Sequence, residues 1–309
     1  MNKRRMSAGK TVVLIICVVL FTVSSGFLIK HFVEIHKNKD TFEKLSQLVP
    51  SDDGSNSSDT PDYSKLLEMN SDLVGWITVP NTSINHPVVK TANNEYYLDH
   101  NFDKESDRRG AVFMDYRNNA TVLDSNTILY GHNCYDTTMF SELVKYESID
   151  FYKKSPVFEF NTLEKKYKWK IYGVFITSAS ESEDNGYVFY YNTPNVDEND
   201  FDGFIEEVNK RRLYTTDVDI NSEDRLMILS TCVRNLDLKN KAGATTYRAD
   251  GRIVILARAV RDGEGAEVNT EKAYVNENPK YPQLWYDKNG TQNPYKDEKG
   301  WYPQEVIGK

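Results

Sequence analysis

The chain has 309 residues, of which 39% are hydrophobic, 12% aromatic and 27% charged. That is enough apolar material for a sizeable core and excludes wholesale disorder. Lysine and arginine total 38 against 46 aspartates and glutamates, a net charge of −8 without a basic stripe, so a nucleic-acid partner is not expected; three cysteines, Cys17, Cys134 and Cys232, are too few for a disulfide scaffold.

In chain order, the first feature is TVVLIICVVLFTVSSGFLI, residues 11–29, uncharged throughout and preceded by Lys3, Arg4, Arg5 and Lys10. At about 1.5 Å per residue such a helix spans roughly a 30 Å hydrocarbon layer. The basic flank sets residues 1–10 in the cytoplasm and the rest outside. The run is long for the apolar part of a signal peptide, so a retained transmembrane anchor is expected rather than a cleaved signal. Residues 30–61 read as a juxtamembrane segment and linker. They hold a short helix over 41–48 and then PSDDGSNSSDTP, residues 50–61, which lacks any large apolar side chain and suits a flexible tether.

The globular part starts at residue 62. Residues 63–70 read as a short helix. Runs rich in Val, Ile and aromatics at 75–79, 110–114, 127–129, 169–176, 225–229 and 253–260 read as strands. ENDFDGFIEEVNKRR, residues 198–212, places Phe201, Phe204, Ile205 and Val208 at helical spacing, with Asp200 near its start. Many short strands and one long helix point to a mainly β fold, a barrel with helical insertions. Residues 262–309 are polar and without an apolar period. They read as an extended appendage outside a domain of 62–261, although Tyr274, Tyr281, Trp285, Tyr286, Tyr295, Trp301 and Tyr302 carry enough buriable area to pack on the barrel or cover a groove.

The chain has no HExxH, no CxxC pair, no phosphate-binding glycine loop and no GxSxG. His132 and Cys134 lack further zinc ligands nearby. Residues 198–209 echo a calcium loop through Asp200, Asp202 and Gly203 but end in Asn209, so no metal or other cofactor is expected. A cysteine–histidine system remains. Cys232 closes the apolar run RLMILSTC, and His132 follows TILYG. Alone, the first reads equally well as a small buried apolar residue and the second as a loop histidine bonded to backbone. Together they supply a thiol and the base or imidazolium partner that makes it a nucleophile. Arg252 opens RIVILARAV. If that strand pairs beside the one carrying Cys232, its cation lies where an oxyanion would form; the alternative is an exposed arginine at a strand start.

On these residues the sequence resembles the sortases, membrane-anchored cysteine transpeptidases of Gram-positive bacteria, from about residue 74 to 260. The stretches that carry the resemblance are LVGWITVPNTSINHPVV, NNEYYLDHNF, GAVFMDYRNN, NTILYGHN, MFSEL, ILSTC and GRIVILARAV. YGHN, LSTC and the long helix between a strand near Tyr190 and the strand at Arg225 favour class B. The resemblance implies an eight-stranded sortase β-barrel with N-terminal helices and one long helix inserted between late strands. It implies that Cys232 is the nucleophile, His132 the general acid or base and Arg252 the oxyanion-stabilising cation, with Tyr130, Ser230, Asn94 and Leu98 at substrate-groove positions. It implies, as partners, secreted proteins with a C-terminal sorting motif cleaved after threonine and an accepting amine of peptidoglycan, a pilin or another protein, at the cell membrane with the catalytic domain outside. Two features depart from the family. Residues 233–251 are longer than usual and hold Arg234 and Arg248, so Arg248 stands as an alternative to Arg252; His86 and Lys90 stand where Tyr and Gln are more usual. A surface cysteine peptidase releasing its substrate to water is the chemical rival. A non-catalytic sortase-like binding module is the other, and it would need none of the three residues.

Overall fold

The apolar stretch lies in one helix, α1 (Ala8–Gln47). The computed structural model describes residues 8–49 and 62–307. Within α1, Val12–Ile29 has a mean hydropathy of 2.8, is long and apolar enough to cross a membrane, and exposes its large apolar side chains. The short helix expected over 41–48 is the end of α1 rather than a separate element, because nothing in 30–40 breaks the helix. The linker expected at 50–61 falls outside the described residues.

Beyond the short helix α2 (Ser64–Met69), eight strands close a barrel. They are β1 (Leu73–Thr78), β2 (Asn85–Val89), β3 (Val112–Met114), β4 (Asn126–Tyr130), β5 (Val157–Thr162), β6 (Lys168–Ser178), β7 (Leu226–Cys232) and, after a two-stranded hairpin of β8 (Leu238–Lys239) and β9 (Thr245–Tyr247), β10 (Gly251–Ala259). The order around the barrel is β1-β2-β3-β4-β7-β10-β6-β5, with β5 back against β1. The β2–β3 and β4–β7 pairs are parallel and the rest antiparallel. A parallel pair needs a long crossover. The one between β4 and β7 contains the short helix α3 (Ile149–Lys154), β5, β6 and the long helix α4 (Glu198–Arg211).

Each of the six runs read as strands overlaps a barrel strand. The two others are hidden by composition. β2 is NHPVV, where Pro87 and a buried histidine disguise a strand. β5 alternates buried Phe158, Phe160 and Thr162 with half-buried neighbours, but a polar run follows at once. The strand expected near Tyr190 does not form. Asn126 takes its backbone instead: the Asn126 amide donates to the carbonyls of Tyr191 (3.1 Å) and Thr193 (2.8 Å), and the Asn126 N–H to that of Pro194 (2.9 Å). With those carbonyls satisfied by one residue, no ladder is required.

Helix α4 starts at an N-cap, Asp197, whose carboxylate accepts the N–H groups of Asn199 and Asp200. Its acidic start and its basic end, Lys210 and Arg211, suit the helix dipole. Phe201, Phe204, Ile205 and Val208 bury against Phe175, Ile228, Val254, Leu256 and Phe189. Each fully buried side chain of this size contributes roughly 1.5–3 kcal/mol. Residues 198–209, with their echo of a calcium loop, are thus helix.

The tail is not an extended appendage set apart at 262. The described residues from Leu48 onward form one compact unit. Tail residues add two short helices, α5 (Gln283–Asn289) and α6 (Gln304–Ile307). Backbone bonds tie Asn276 to Leu213 (2.9 Å) and Lys280 to Lys210 (2.8 Å), and Asp200 accepts the Gln304 N–H at 3.0 Å. The Lys280 ammonium lies among Glu207 and Glu298. Trp301 packs edge-on to Phe189 and Phe204. Isolated aromatics, not a periodic apolar face, make this contact, which is why the pattern of the tail conceals it.

Two predictions follow from this packing. Gly203 sits inside α4, where glycine costs about 1 kcal/mol relative to alanine. A Cβ there would lie 2.4 Å from Cδ1 of Trp301. Gly203→Ala should therefore lower the melting temperature despite its better helix propensity, and raise it in a Trp301→Ala background; a rise in both backgrounds would show that the indole does not set the need for glycine. The second concerns His86, opposite Ile77 in the β1–β2 pair and 3% exposed, whose pKa burial pushes down to about 4. Between about pH 6.5 and 4 the unfolded chain binds a proton that the folded chain refuses. Stability should fall with pH through that window, by up to about 3 kcal/mol. Denaturant titrations across it should show a flatter profile for His86→Phe than for the native chain.

Candidate active site

The site is set by strand register. In the β7–β10 pair Cys232 stands opposite Arg252, Ser230 opposite Val254 and Ile228 opposite Leu256. In the parallel β4–β7 pair Tyr130 stands beside Ser230 and Ile128 beside Ile228. Residues two apart on a strand share a face. Tyr130, Ser230 and Val254 thus form one row, above Ile128, Ile228 and Leu256, on the face that α4 covers. Cys232 and Arg252 extend the next row at its rim. His132, two residues past Tyr130, leaves β4 at the same end.

Backbone contacts hold the loop after β4 to β7. The Gly131 N–H points to the Ser230 carbonyl (3.4 Å), the Thr231 hydroxyl donates to the Gly131 carbonyl (2.7 Å), and the Asn133 amide donates to the Cys232 carbonyl (2.8 Å). Glycine is required at 131 by close approach: a Cβ would lie 2.8 Å from the Phe140 ring. His132 Nε2 meets the Leu98 carbonyl at 2.8 Å. A carbonyl only accepts, so this contact places the hydrogen on Nε2 and leaves Nδ1 as the nitrogen free for proton transfer. Arg252 Nη1 donates to the carbonyls of Asp250 (3.0 Å) and Gly251 (3.1 Å). Cys232 is half-buried. Arg248, just past β9, is exposed and has no strand partner in the β7–β10 register.

Tyr130 and Asn94 meet at a residue that no motif marks as a site residue. Asp115, directly after β3, accepts from the Tyr130 hydroxyl (3.0 Å) and the Asn94 amide (3.1 Å), and pairs bidentately with Arg117 at 2.9 and 2.8 Å. Burial alone would raise the Asp115 carboxyl; its bonds to Arg117 outweigh this and hold it below the usual carboxylate range. Burial pushes the Tyr130 phenol up. Asn94 also accepts the Tyr116 N–H at 2.9 Å. Ser230 Oγ pairs with the buried Tyr191 hydroxyl at 3.0 Å. Leu98 meets the site through its carbonyl, while its side chain is 42% exposed. Asp115 was visible as a charge closing the apolar run AVFM. Tyr191 lies in FYYNTP, where no pattern marks it.

Cys134, two residues past His132, has its N–H on the Ser141 hydroxyl (2.6 Å), and burial pushes its thiol up, away from the reactive thiolate. Among the described residues, no three His, Cys, Asp or Glu side chains are grouped to hold a metal ion.

The sortase domain family matches residues 77–260. Sortase B of Staphylococcus aureus is 31% identical over 258 residues, covering 83% of this chain and 99% of that protein. Sortase B of Listeria monocytogenes is 34% identical over 195 residues, covering 63% of this chain and 72% of that protein. A sortase B–substrate complex from S. aureus superposes with a TM-score of 0.58 at 30% identity, over 75% of this chain and 97% of that one. These relatives favour neither a peptidase nor a non-catalytic module. The eight-stranded barrel, a thiol on a strand end of that barrel and the matches along most of the chain lead to one assignment: this chain belongs to the sortase family of cysteine transpeptidases, alongside its class B members.

Proposed function

We propose that Cys232, His132 and Arg252 carry the transpeptidation, on a secreted protein bearing a C-terminal sorting motif. The observation that supports this reading is the β7–β10 register, in which Arg252 is the residue opposite Cys232. The Cys232 thiol gives its proton to His132 Nδ1 as its sulfur attacks the carbonyl carbon of the motif threonine. The carbonyl oxygen takes the negative charge and the Arg252 guanidinium stabilises it. As the tetrahedral intermediate collapses, the C–N bond breaks and His132 passes the Nδ1 proton to the departing amine. A thioacyl-enzyme remains. An incoming amine gives a proton to His132 Nδ1 and attacks the thioester carbon; the C–S bond breaks and the Cys232 sulfur takes that proton back as the thiol, which completes the transfer.

The groove reading places Tyr130, Ser230, Asn94 and Leu98 along the bound motif. Asp115 fixes the hydroxyl of Tyr130 and the amide of Asn94, and Tyr191 that of Ser230. The accepting amine belongs to peptidoglycan or to another surface protein such as a pilin. The family is associated with the cell surface. For this chain we assign α1 as the anchor, with residues 1–10 inside and the catalytic domain outside. Its apolar stretch from Val12 to Ile29 supports this, and tethering confines the enzyme to the layer where substrate and acceptor meet, which raises their effective concentration.

The test is incubation of the full-length protein, in detergent, with a library of sorting peptides and an amine acceptor, read by mass spectrometry. Cys232→Ala should abolish cleavage and transfer, and Cys134→Ala should retain most of both. Arg252→Ala should slow turnover by about a hundredfold or more, the scale of losing an oxyanion donor. Arg252→Lys should recover it only in part, because ammonium lacks the planar fork. Arg248→Ala should cost far less; equal losses at 248 and 252 would refute the assignment of the arginine.

A further inference from the structure

ESED, residues 181–184, reads as a solvated acidic run, and Glu181 and Ser182 are exposed. Glu183 is turned inward and is 3% exposed. A buried carboxylate is costly unless its oxygens are hydrogen-bonded. Glu183 Oε2 accepts from the Ser178 hydroxyl at 2.6 Å, and Oε1 accepts from the Tyr247 hydroxyl at 2.7 Å. Both oxygens share the Asp250 N–H, at 3.0 and 3.2 Å.

The Asp250–Gly251 segment is where Arg252 is held. Its Nη1 donates to the carbonyls of both residues. Each carbonyl is fixed in turn by a backbone donor: Asp250 O by the Ala179 N–H (3.0 Å) and Gly251 O by the Val233 N–H (2.9 Å). Ser178, which orients the Glu183 carboxylate, is the β6 residue directly opposite Gly251. The two carbonyls that hold the guanidinium are thus pinned by N–H groups directly past the ends of β6 and β7, and the Asp250 N–H is pinned by Glu183.

We propose that Glu183 is a positioning residue for Arg252: a buried carboxylate that fixes the Asp250 peptide and so sets where the guanidinium points. The proposal rests on Arg252 being the oxyanion donor. Glu183 also holds Tyr247, at the end of β9, and closing that exposed hairpin is the competing role for the carboxylate. The two roles differ in what they do to chemistry. Loss of the hairpin tie alone leaves the arginine in place, whereas release of the Asp250 N–H moves it.

The experiment measures kcat and KM for a sorting peptide, and the single-turnover rate of thioacyl formation, with the full-length protein in detergent and thermal melts run in parallel. Glu183→Leu, of similar volume without acceptors, should lower kcat by about tenfold, the scale of one buried donor left unpaired, with KM within about twofold. Glu183→Gln should recover most of the loss, because its amide oxygen still accepts the Asp250 N–H. Tyr247→Phe should leave kcat near native. In an Arg252→Ala background Glu183→Leu should cost less than about twofold more, because its effect runs through the missing guanidinium. Should Glu183→Leu fail to fold, Ser178→Ala carries the test, with a milder kcat loss of about threefold that also vanishes in the Arg252→Ala background. A full loss persisting in that background, a loss confined to KM, native turnover of Glu183→Leu, or an equal loss in Tyr247→Phe would each overturn the proposal while leaving Arg252 its role. Native activity of Arg252→Ala itself would remove the role and the proposal together.

Discussion

The site depends on the register of β7 between a parallel and an antiparallel neighbour. Side chains on a strand alternate, so a slip of one residue against either neighbour would send Cys232 or Arg252 to the opposite face. Burial on both faces prevents it. Ile228, Val254 and Leu256 sit under α4, while Met227, Leu229, Ile253 and Ile255 alternate with them and are equally inaccessible to water. Strands covered on both sides read as continuous apolar runs, which is how MILS and IVIL look in the sequence. The same burial that stabilises the barrel therefore fixes Cys232 opposite Arg252 at its rim.

His132 and Arg252 are oriented by carbonyl groups rather than by carboxylates. Leu98 O holds His132, and Asp250 O and Gly251 O hold Arg252. Other arginines of this domain behave differently: Arg109, Arg117, Arg258 and Arg261 each pair with carboxylates. A carboxylate on a guanidinium cancels most of its charge, whereas a carbonyl dipole directs it and leaves the charge for a developing oxyanion. The difference separates an arginine that joins two segments from one suited to chemistry. It also places the pinned Asp250 peptide among the parts that make the site stiff, since a cation aimed by a loose loop would have to reorganise at each turnover.

What was legible in the sequence follows from which physical signals are local. Cys232, His132 and Arg252 stand next to apolar runs that become β7, β4 and β10, so the strand, the end of the strand and the residue at that end could be read together. β2 was hidden because Pro87 and a buried histidine look like a loop. The Tyr190 segment looks like a strand, because FYY has the composition of one; a single residue, Asn126, takes the carbonyls of Tyr191, Thr193 and Pro194 from more than sixty residues away in sequence, which no window can detect. Asp115 and Glu183 share this limitation from the opposite side. Each is an ordinary acidic residue in sequence, and each acquires its role only because the barrel brings distant donors to it. The pairing that sets Arg252, and not Arg248, opposite Cys232 is likewise a matter of register, invisible through a 233–251 segment of unusual length.

Gly203 shows how the tail enters the same structure. Inside an otherwise sound helix a glycine reads as a defect. Its sense appears only when Trp301, nearly a hundred residues later, occupies the space a Cβ would take. The indole then touches Phe189 and Phe204, Tyr302 meets Tyr187 and Tyr190, and Asp184 accepts the Gln283 N–H at the start of α5. The tail thus grips both flanks of one segment, residues 184–190, immediately between Glu183 and Tyr191. Those two residues are the ones that reach the Arg252 clamp and Ser230. A connection that would otherwise cross the surface as an unsupported loop is held by aromatic contacts outside it and by hydrogen bonds to the site inside it. The 262–307 segment therefore belongs with the packing that holds Glu183 and Tyr191 in place, even though it supplies none of His132, Cys232 and Arg252.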